Sequence, residues 1–265
     1  MTLFTLDQPE GAYDDRAYTR IDLNRAVVGN RWLERTWSAF FGTTTSIIQK
    51  AGDVEWAAPS SPDFRFTVDD TSMDSTILDE ISISEDASEM GATIHIRKSK
   101  GGVDAVYSTT ALHDSPLLMR KFSITNSGNE PITVTNVCTE HVVWDSPNVD
   151  CWVRKFTEIE KGTWSASGED ANLSIQIRDK GLIFGVIEPG LVHLERDETP
   201  ACRATAPDSA EIAPLQTWEG PSSYLIAFEG DPFDAHTQHY TALLNELRLQ
   251  EKRTVEIQRL LAEEE

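Results

Sequence analysis

The stretch from residue 115 to residue 144 constrains the fold most, because it holds two segments with the alternation of β-strands. Leu118, Phe122 and Ile124 share one parity, and the other parity holds Met119, Lys121, Ser123 and Thr125, which is the period of two expected of a strand with two unlike faces. A loop rich in Asn, Ser, Gly and Pro follows, and alternation resumes at Ile132. The pattern predicts two strands joined by a loop, which is the arrangement of a hairpin.

The second of these segments carries polar residues where burial is expected. From residue 137 onward it is apolar on both faces, a pattern typical of a strand that is buried on both sides. Glu140, His141 and Asp145 nevertheless lie within it or directly after it. Side chains alternate along a strand, so Glu140 and His141 face opposite sides, while His141 and Asp145 share one face if no bulge intervenes. All three are candidate ligand-binding residues.

Short strand-like segments separated by turn residues continue along most of the chain, which predicts an all-β, antiparallel sandwich or barrel. The pattern changes after Gly230, where Asp231 suits a helix N-cap and Pro232 the first helical position. Apolar residues then recur at helical spacing. We predict an N-terminal arm over residues 1–18, a β-domain over residues 19–230, and a C-terminal helix and tail over residues 231–265.

The charge of the chain limits its partners. It has 44 acidic and 23 basic residues, for a formal net charge of −21. Such a field repels nucleic-acid phosphates and anionic lipid, so neither nucleic acid nor a membrane is an expected partner. Neutral ligands such as sugars remain compatible with this charge.

The cysteines and the N-terminus favour a reducing compartment. Cys138, Cys151 and Cys202 are odd in number and widely spaced, which argues against both a disulfide framework and a zinc site. The N-terminus has no basic start followed by a long apolar run, and no apolar stretch approaches a membrane span. We therefore predict a cytoplasmic protein.

Motifs of catalysis and cofactor binding are missing from the sequence. There is no GxSxG elbow, phosphate-cradling glycine loop, HExxH motif or EF-hand loop, so hydrolase, kinase and metalloprotease functions lack support. His236 and His239 are three residues apart on the predicted helix, but a metal site needs further ligands, and exposed helix positions are the more common explanation. No metal and no cofactor are expected.

Two kinds of side chain nevertheless suggest sugar binding. A neutral histidine such as His141, beside a carboxylate, can move a proton between sugar oxygens, although a hydrogen-bonded core histidine is the common alternative. An exposed tryptophan near carboxylates can stack on the apolar face of a sugar ring, with core packing as the alternative. Four tryptophans adjoin turns or polar residues and are the candidates: Trp56, Trp144, Trp152 and Trp218.

Three segments resemble a known family. The first comprises VGNRWLER from residue 28, TTSIIQK from residue 44 and GDVEW from residue 52. The second covers residues 114–137, with an Arg-bearing strand, an Asn-x-Gly turn and a Thr/Val strand, and the third covers residues 213–231. Together they resemble the N-terminal β-supersandwich domain of family 36 glycoside hydrolases, the α-galactosidase group.

The resemblance implies a galactose-mutarotase-like supersandwich with a carbohydrate-associated role. The family's catalytic aspartates lie in a (β/α)₈ barrel after this domain, so no catalytic residue is carried over. In the mutarotase branch of the fold a His and a Glu lie on a concave sheet, but no motif matches His141 to that His. We therefore expect a module that is noncatalytic on its own, with carbohydrate and a catalytic glycosidase chain as partners.

Two alternatives remain open at the level of sequence. One is an aldose-epimerase (mutarotase) type of enzyme that uses His141 and a carboxylate. The other is a structural module that forms a homo-oligomer through its C-terminal helix, with Leu243, Leu244 and Leu247 at the interface.

Overall fold

A computed structural model describes residues 16–59, 61–76, 80–145, 149–153, 157–158, 162–167, 172–187, 190–196, 201–235 and 237. Nearly every element in these residues is a strand. In chain order the elements are β1 (Tyr18–Ile21), β2 (Arg25–Gly29), β3 (Leu33–Ser38), β4 (Thr44–Gln49), β5 (Val54–Glu55), β6 (Arg65–Val68), β7 (Thr71–Asp74), β8 (Glu80–Ala87), β9 (Gly91–Lys100), β10 (Val103–Leu112), β11 (Leu117–Asn126), β12 (Ile132–Val143), β13 (Asp150–Val153), β14 (Thr157–Glu158), β15 (Gly162–Ser167), β16 (Asn172–Ile177), β17 (Lys180–Val186), β18 (Leu191–Arg196), β19 (Ala201–Thr205), β20 (Ala210–Ile212), β21 (Thr217–Glu219), β22 (Ser223–Glu229) and the helix α1 (Pro232–Ala235).

The strands of the described residues form three sheets. The small sheet has the order β1-β2-β3-β4-β5, the large sheet β14-β13-β16-β17-β22-β11-β10-β9-β8, and the third sheet β15-β18-β19-β12-β6-β7. Strand β21 extends the large sheet beside β11, and β20 extends the third sheet beside β12. The pairings between neighbouring strands are antiparallel throughout, for example between β10 and β11 and between β12 and β19. This confirms the predicted all-β, antiparallel supersandwich.

The predicted hairpin between the two strands of the 115–144 stretch is wrong. Strand β11 belongs to the large sheet, beside β10 and β22, whereas β12 belongs to the third sheet, beside β19 and β6. Asn126 holds the loop between them, since its amide donates to the carbonyl oxygens of Glu130 and Ile212 at 2.8 and 2.9 Å. Alternation identifies a strand but not the strand that pairs with it, so the sequence pattern did not reveal that the chain crosses from one sheet to another here.

Aromatic side chains fill the space between the sheets. The rings of Phe64 and Phe122 have centroids 5.2 Å apart, and Tyr107 and Phe66 pack beside Phe64. Their positions alternate with outward-facing residues along β6, β10 and β11, as expected for strands whose inner faces meet. One continuous apolar core results, to which all three sheets contribute.

Four charged residues are buried in this core. Arg35 of β3, Arg120 of β11, Glu140 of β12 and Asp63, which precedes β6, each have side chains at most 2% exposed. We call them the buried charge cluster. Asp63 Oδ1 accepts from Arg35 Nη2 at 3.0 Å and from Arg120 Nη1 at 2.8 Å, and Glu140 Oε1 pairs with Arg35 Nη1. The cluster therefore joins all three sheets.

The remaining hydrogen-bonding capacity of the carboxylates is also used. Asp63 accepts from the amide and hydroxyl of Thr44 at 2.6 and 2.7 Å and from Trp37 Nε1 at 3.0 Å. Ser223 of β22 donates to Glu140. Burial by itself raises the pKa of Asp63, but the charges of Arg120 and Arg35 and these hydrogen bonds hold it below its usual value of 3.8.

The predicted start of the C-terminal helix is confirmed. Helix α1 begins at Pro232, and Asp231 Oδ1 accepts from the amide of Phe233 at 2.7 Å, as an N-cap does. His236, His239, Leu243, Leu244 and Leu247 lie outside the described residues. Within the part of the chain that the structure describes, no helix is long and apolar enough to cross a membrane.

Replacing Asp63 by Asn tests the buried charge cluster. We expect Asp63→Asn to lower the free energy of unfolding by about 3–5 kcal/mol, because it leaves two buried guanidinium groups against one carboxylate. Urea unfolding measures the loss. The matched control is Glu229→Gln, which breaks the exposed Lys180–Glu229 pair and should cost far less, because exposed ion pairs contribute little to stability. Equal, small losses in both variants would contradict the structural role of the cluster.

Candidate functional site

The polar residues of β12 are separated by the two faces of the strand. A bulge occupies its middle, where Asn136 has a φ of 52° and the register shifts against both β6 and β19. Beyond the bulge, Glu140 points into the core, toward Arg35. His141 points to the outer face of the third sheet, where it contacts Arg203. The prediction that Glu140 and His141 face opposite sides is confirmed.

Strand pairing assembles a polar cluster around His141 on this outer face. His141 lies opposite Arg203 of β19, which in turn lies opposite His193 of β18. Arg203 Nε donates to His141 Nε2 at 3.3 Å, and its two terminal nitrogens donate to the two oxygens of Glu195 at 2.7 and 3.0 Å. His193 Nε2 lies 2.9 Å from the hydroxyl oxygen of Thr205. His141, Arg203 and Glu195, from three strands, thus form one hydrogen-bonded network, and the His193–Thr205 pair lies on the two strands β18 and β19 of the same sheet.

A pocket of about 320 Å³ opens beside this network. We call it the His141 pocket, and its volume lies near the lower end of the roughly 300–1,000 Å³ typical of small-molecule sites. Its described lining contains neither a carboxylate nor a Phe, Tyr or Trp ring. The lining residues are Arg65, Asn136, Val137, Cys138, His141, Arg203, Thr205 and Ala206.

Burial and the nearby arginines determine the protonation states of the titratable groups in the pocket. Burial, and then the charges of Arg203 and Arg65, lower the pKa of His141 to about 4, so the imidazole is neutral near pH 7. Since Nε2 accepts from Arg203, we assign the ring proton to Nδ1. Burial also raises the pKa of Cys138 to about 12, so it remains a thiol and not a nucleophilic thiolate. The pocket therefore offers hydrogen bonds and positive charge.

Three of the candidate sugar-binding residues belong to the core. Trp56 and Trp144 are 1% and 2% exposed and pack edge to face with centroids 6.5 Å apart, so neither presents a ring to solvent. A backbone bridge between Ala57 and Trp144 brings the two segments together and encloses both rings. Glu140 is part of the buried charge cluster. This corrects the expectation that these residues face a ligand, because nearness to turns and polar residues in sequence does not report exposure.

The other candidates lie away from the His141 pocket. Trp152 of β13 and Trp218 of β21 are half-buried in the large sheet, and the ring of Trp218 packs against the core. Asp145 is exposed beyond the end of β12. None of the three is among the described residues that line the pocket. His141 is therefore the only one of the seven candidates that the structure places there.

Sequence reasoning missed most of the pocket. Arg65 and Arg203 stand on different strands from His141 and share no local motif with it. His193 and Glu195 stand on a further strand, β18. Only the register of β6, β12, β19 and β18 brings these residues together. Among the described residues, no group of three or more His, Cys, Asp or Glu side chains is arranged to hold a metal ion.

The protonation of His141 makes a testable contribution to stability. Its pKa in the folded protein is about 4, below the usual 6.5, so between these values the unfolded chain binds a proton that the native state does not. Wild-type stability should therefore fall as the pH drops from about 6.5 toward about 4. We expect His141→Gln to reduce this fall, as measured by urea unfolding across that range.

The matched control is His95→Gln, on the large sheet, where the imidazole contacts the hydroxyl group of Ser108. This variant leaves the surroundings of His141 unchanged, so the fall in stability that His141 causes should remain. A wild-type dependence in His141→Gln as well would show that His141 is not held neutral by its surroundings.

Comparison with solved structures identifies the fold. The chain superposes on the family 36 α-galactosidase AgaB of Geobacillus stearothermophilus with a TM-score of 0.62 and 11% identity, covering 80% of this chain and 41% of that one. An α-galactosidase of Lactobacillus brevis matches with a TM-score of 0.53 and 11% identity, over 83% of this chain and 40% of that one. The chain thus spans about 41% of the length of AgaB.

A galactose mutarotase related enzyme of Lactobacillus acidophilus matches over almost its whole length. It superposes with a TM-score of 0.55 and 8% identity, over 78% of this chain and 98% of that one. No protein-family model and no curated protein sequence matches the chain. At these identities the likeness is one of fold, and the chain has the galactose-mutarotase-like β-supersandwich fold that is also part of family 36 α-galactosidases.

Proposed function

We propose that this chain is a noncatalytic, carbohydrate-associated module whose His141 pocket binds a sugar. The observation that carries the proposal is a polar, hydrogen-bonding pocket on the outer face of a supersandwich. That fold covers about two fifths of AgaB and nearly all of the mutarotase related enzyme. His141, Arg203 and Thr205 supply ring, guanidinium and hydroxyl groups of the kind that bind sugar hydroxyls.

The arrangement of these groups favours binding over catalysis. Arg203 donates to Nε2 of His141 and occupies both oxygens of Glu195. Neither the imidazole acceptor nor the carboxylate is then available to take a proton from a substrate. The Cys138 thiol is protonated and is no nucleophile.

The partner that fits the fold is a catalytic glycosidase chain or domain. In the solved α-galactosidases the matched part is about two fifths of the chain, and in this proposal the module likewise accompanies a larger catalytic part.

We also propose the boundaries 1–18, 19–230 and 231–265. They are supported by β1 beginning at Tyr18, β22 ending at Glu229 and α1 beginning at Pro232.

A cytoplasmic location is part of the same proposal. Cys138, Cys151 and Cys202 are all buried and free, the state expected of cysteines in a reducing compartment. Homo-oligomer formation through Leu243, Leu244 and Leu247 stays a prediction from sequence, since these residues lie outside the described part of the chain.

Sugar binding is tested by titration. We expect galactose, glucose or their oligosaccharides to bind at millimolar concentration in isothermal titration calorimetry, with chemical-shift changes at His141 and Arg203 in NMR spectra. Arg203→Gln should weaken binding roughly tenfold, because it removes charge-assisted hydrogen bonds. His95→Gln, outside the pocket, should bind like wild type. Absence of binding to every one of these sugars would refute the proposal.

One observation supports an aldose-epimerase activity as the second candidate function. His141 and Glu195 share one sheet face and both contact Arg203, so a histidine and a carboxylate do lie in one network. Because Arg203 occupies both, we expect no acceleration of mutarotation of galactose or glucose, as followed by polarimetry. Acceleration that disappears in His141→Ala would establish the epimerase instead of the binding module.

A further inference from the structure

We propose that the His141 pocket selects an acidic sugar, with Arg65 as the group that binds its carboxylate. The inference rests on the proposed sugar-binding function and adds the class of ligand. Arg65 stands on β6 at the edge of the pocket and is exposed. In the described part of the chain its guanidinium makes no hydrogen bond and no ion pair.

Two carboxylates on neighbouring strands have hydrogen-bond partners other than Arg65. Asp74 lies opposite Arg65 in the pairing of β6 with β7, but its Oδ1 accepts from the amide and hydroxyl of Thr76 at 2.7 and 2.5 Å. Glu195 is held by both terminal nitrogens of Arg203. No carboxylate is among the described lining residues, and Arg65 forms no ion pair with any described residue, so its charge is unpaired within the pocket.

This local charge is opposite in sign to that of the whole chain. The formal net charge is −21, and yet the pocket presents two arginines and a neutral histidine. Screening confines the field of exposed charges to about 8 Å at physiological ionic strength, so a single carboxylate inside the pocket interacts mainly with the pocket's own arginines. A long polyanion would meet the repulsion of the surrounding surface.

The other groups of the pocket suit the uncharged part of a sugar. His141 Nδ1–H is a donor, Thr205 carries a hydroxyl, and Asn136 carries an amide with donors and an acceptor. A guanidinium binds a carboxylate through two parallel hydrogen bonds, whereas a ring hydroxyl receives only one from it. A uronic acid, which combines one carboxylate with a ring of hydroxyl groups, matches this set better than a neutral hexose does.

Matched sugar pairs test the inference by isothermal titration calorimetry near pH 7 at fixed ionic strength. The pairs are galacturonate with galactose and glucuronate with glucose, and acetate and inorganic phosphate serve as bare anions. We expect at least one uronate to bind roughly tenfold more tightly than its neutral partner, the size of one charge-assisted interaction. Neither acetate nor phosphate should bind as tightly as that uronate.

Substitution of Arg65 tests whether its guanidinium causes the preference for the uronate. Arg65→Gln should remove the preference, so that the uronate and its neutral partner bind with about equal affinity. Its control is Arg97→Gln, which removes one exposed positive charge from β9 of the large sheet and should retain the preference. Thermal unfolding of both variants reports whether each is folded like wild type.

The outcomes separate this inference from the proposed function. Equal affinity for a uronate and its neutral partner would overturn the selection of acidic sugars and leave sugar binding intact. Acetate or phosphate binding as tightly as the uronate would overturn it too, since the pocket would then be a general anion site. Failure of all the sugars to bind would refute the proposed function itself.

Discussion

The buried ion pairs among Arg35, Asp63, Arg120 and Glu140 are the interaction on which the rest of this structure depends. Taking four charged groups out of water is costly, and the cost is offset only if each group keeps its partners. Here the partners come from three sheets, so the charges are satisfied only when the sheets stack in one arrangement. The apolar core favours compaction in general, whereas this cluster favours one particular packing of the layers.

The cluster also determines where the candidate site lies. Glu140 and His141 are neighbours on β12, one facing inward and the other outward. The side chain of Asp63 forms ion pairs with two arginines of the cluster. Its backbone carbonyl oxygen accepts a hydrogen bond from the backbone amide of His141 at 3.1 Å. The outer pocket is therefore built on the other side of the strand that the ion pairs hold in place, and the two features share one backbone.

The polar groups of the candidate site are engaged with one another. A general base must be free to accept a proton, but here a single guanidinium occupies the His141 acceptor and both Glu195 oxygens. Such a network can orient a bound ring without changing it. Arg65 lines the same pocket and makes no hydrogen bond or ion pair with a described residue, and it is the group on which the proposed preference for an acidic ligand rests.

Much of the fold was predictable because it depends on local patterns. Alternation identified β11 and β12 as strands, and Asp231 followed by Pro232 located the start of α1. The partner strands of β11 and β12 were not predictable, because the alternation within a strand does not specify which strand lies beside it. The burial of Trp56 and Trp144 was missed for the same reason, since it results from contact between two distant segments.

The sequence by itself determined the strand content, the opposite facing of Glu140 and His141, and the acidity of the surface. These properties depend on residues within a few positions of one another or on composition. Only the tertiary structure decided which sheet each strand joins, which carboxylates are buried with arginines, and which residues surround His141. Arg65 and Arg203 lie 76 and 62 residues from His141 along the chain, and only strand register brings all three to one pocket.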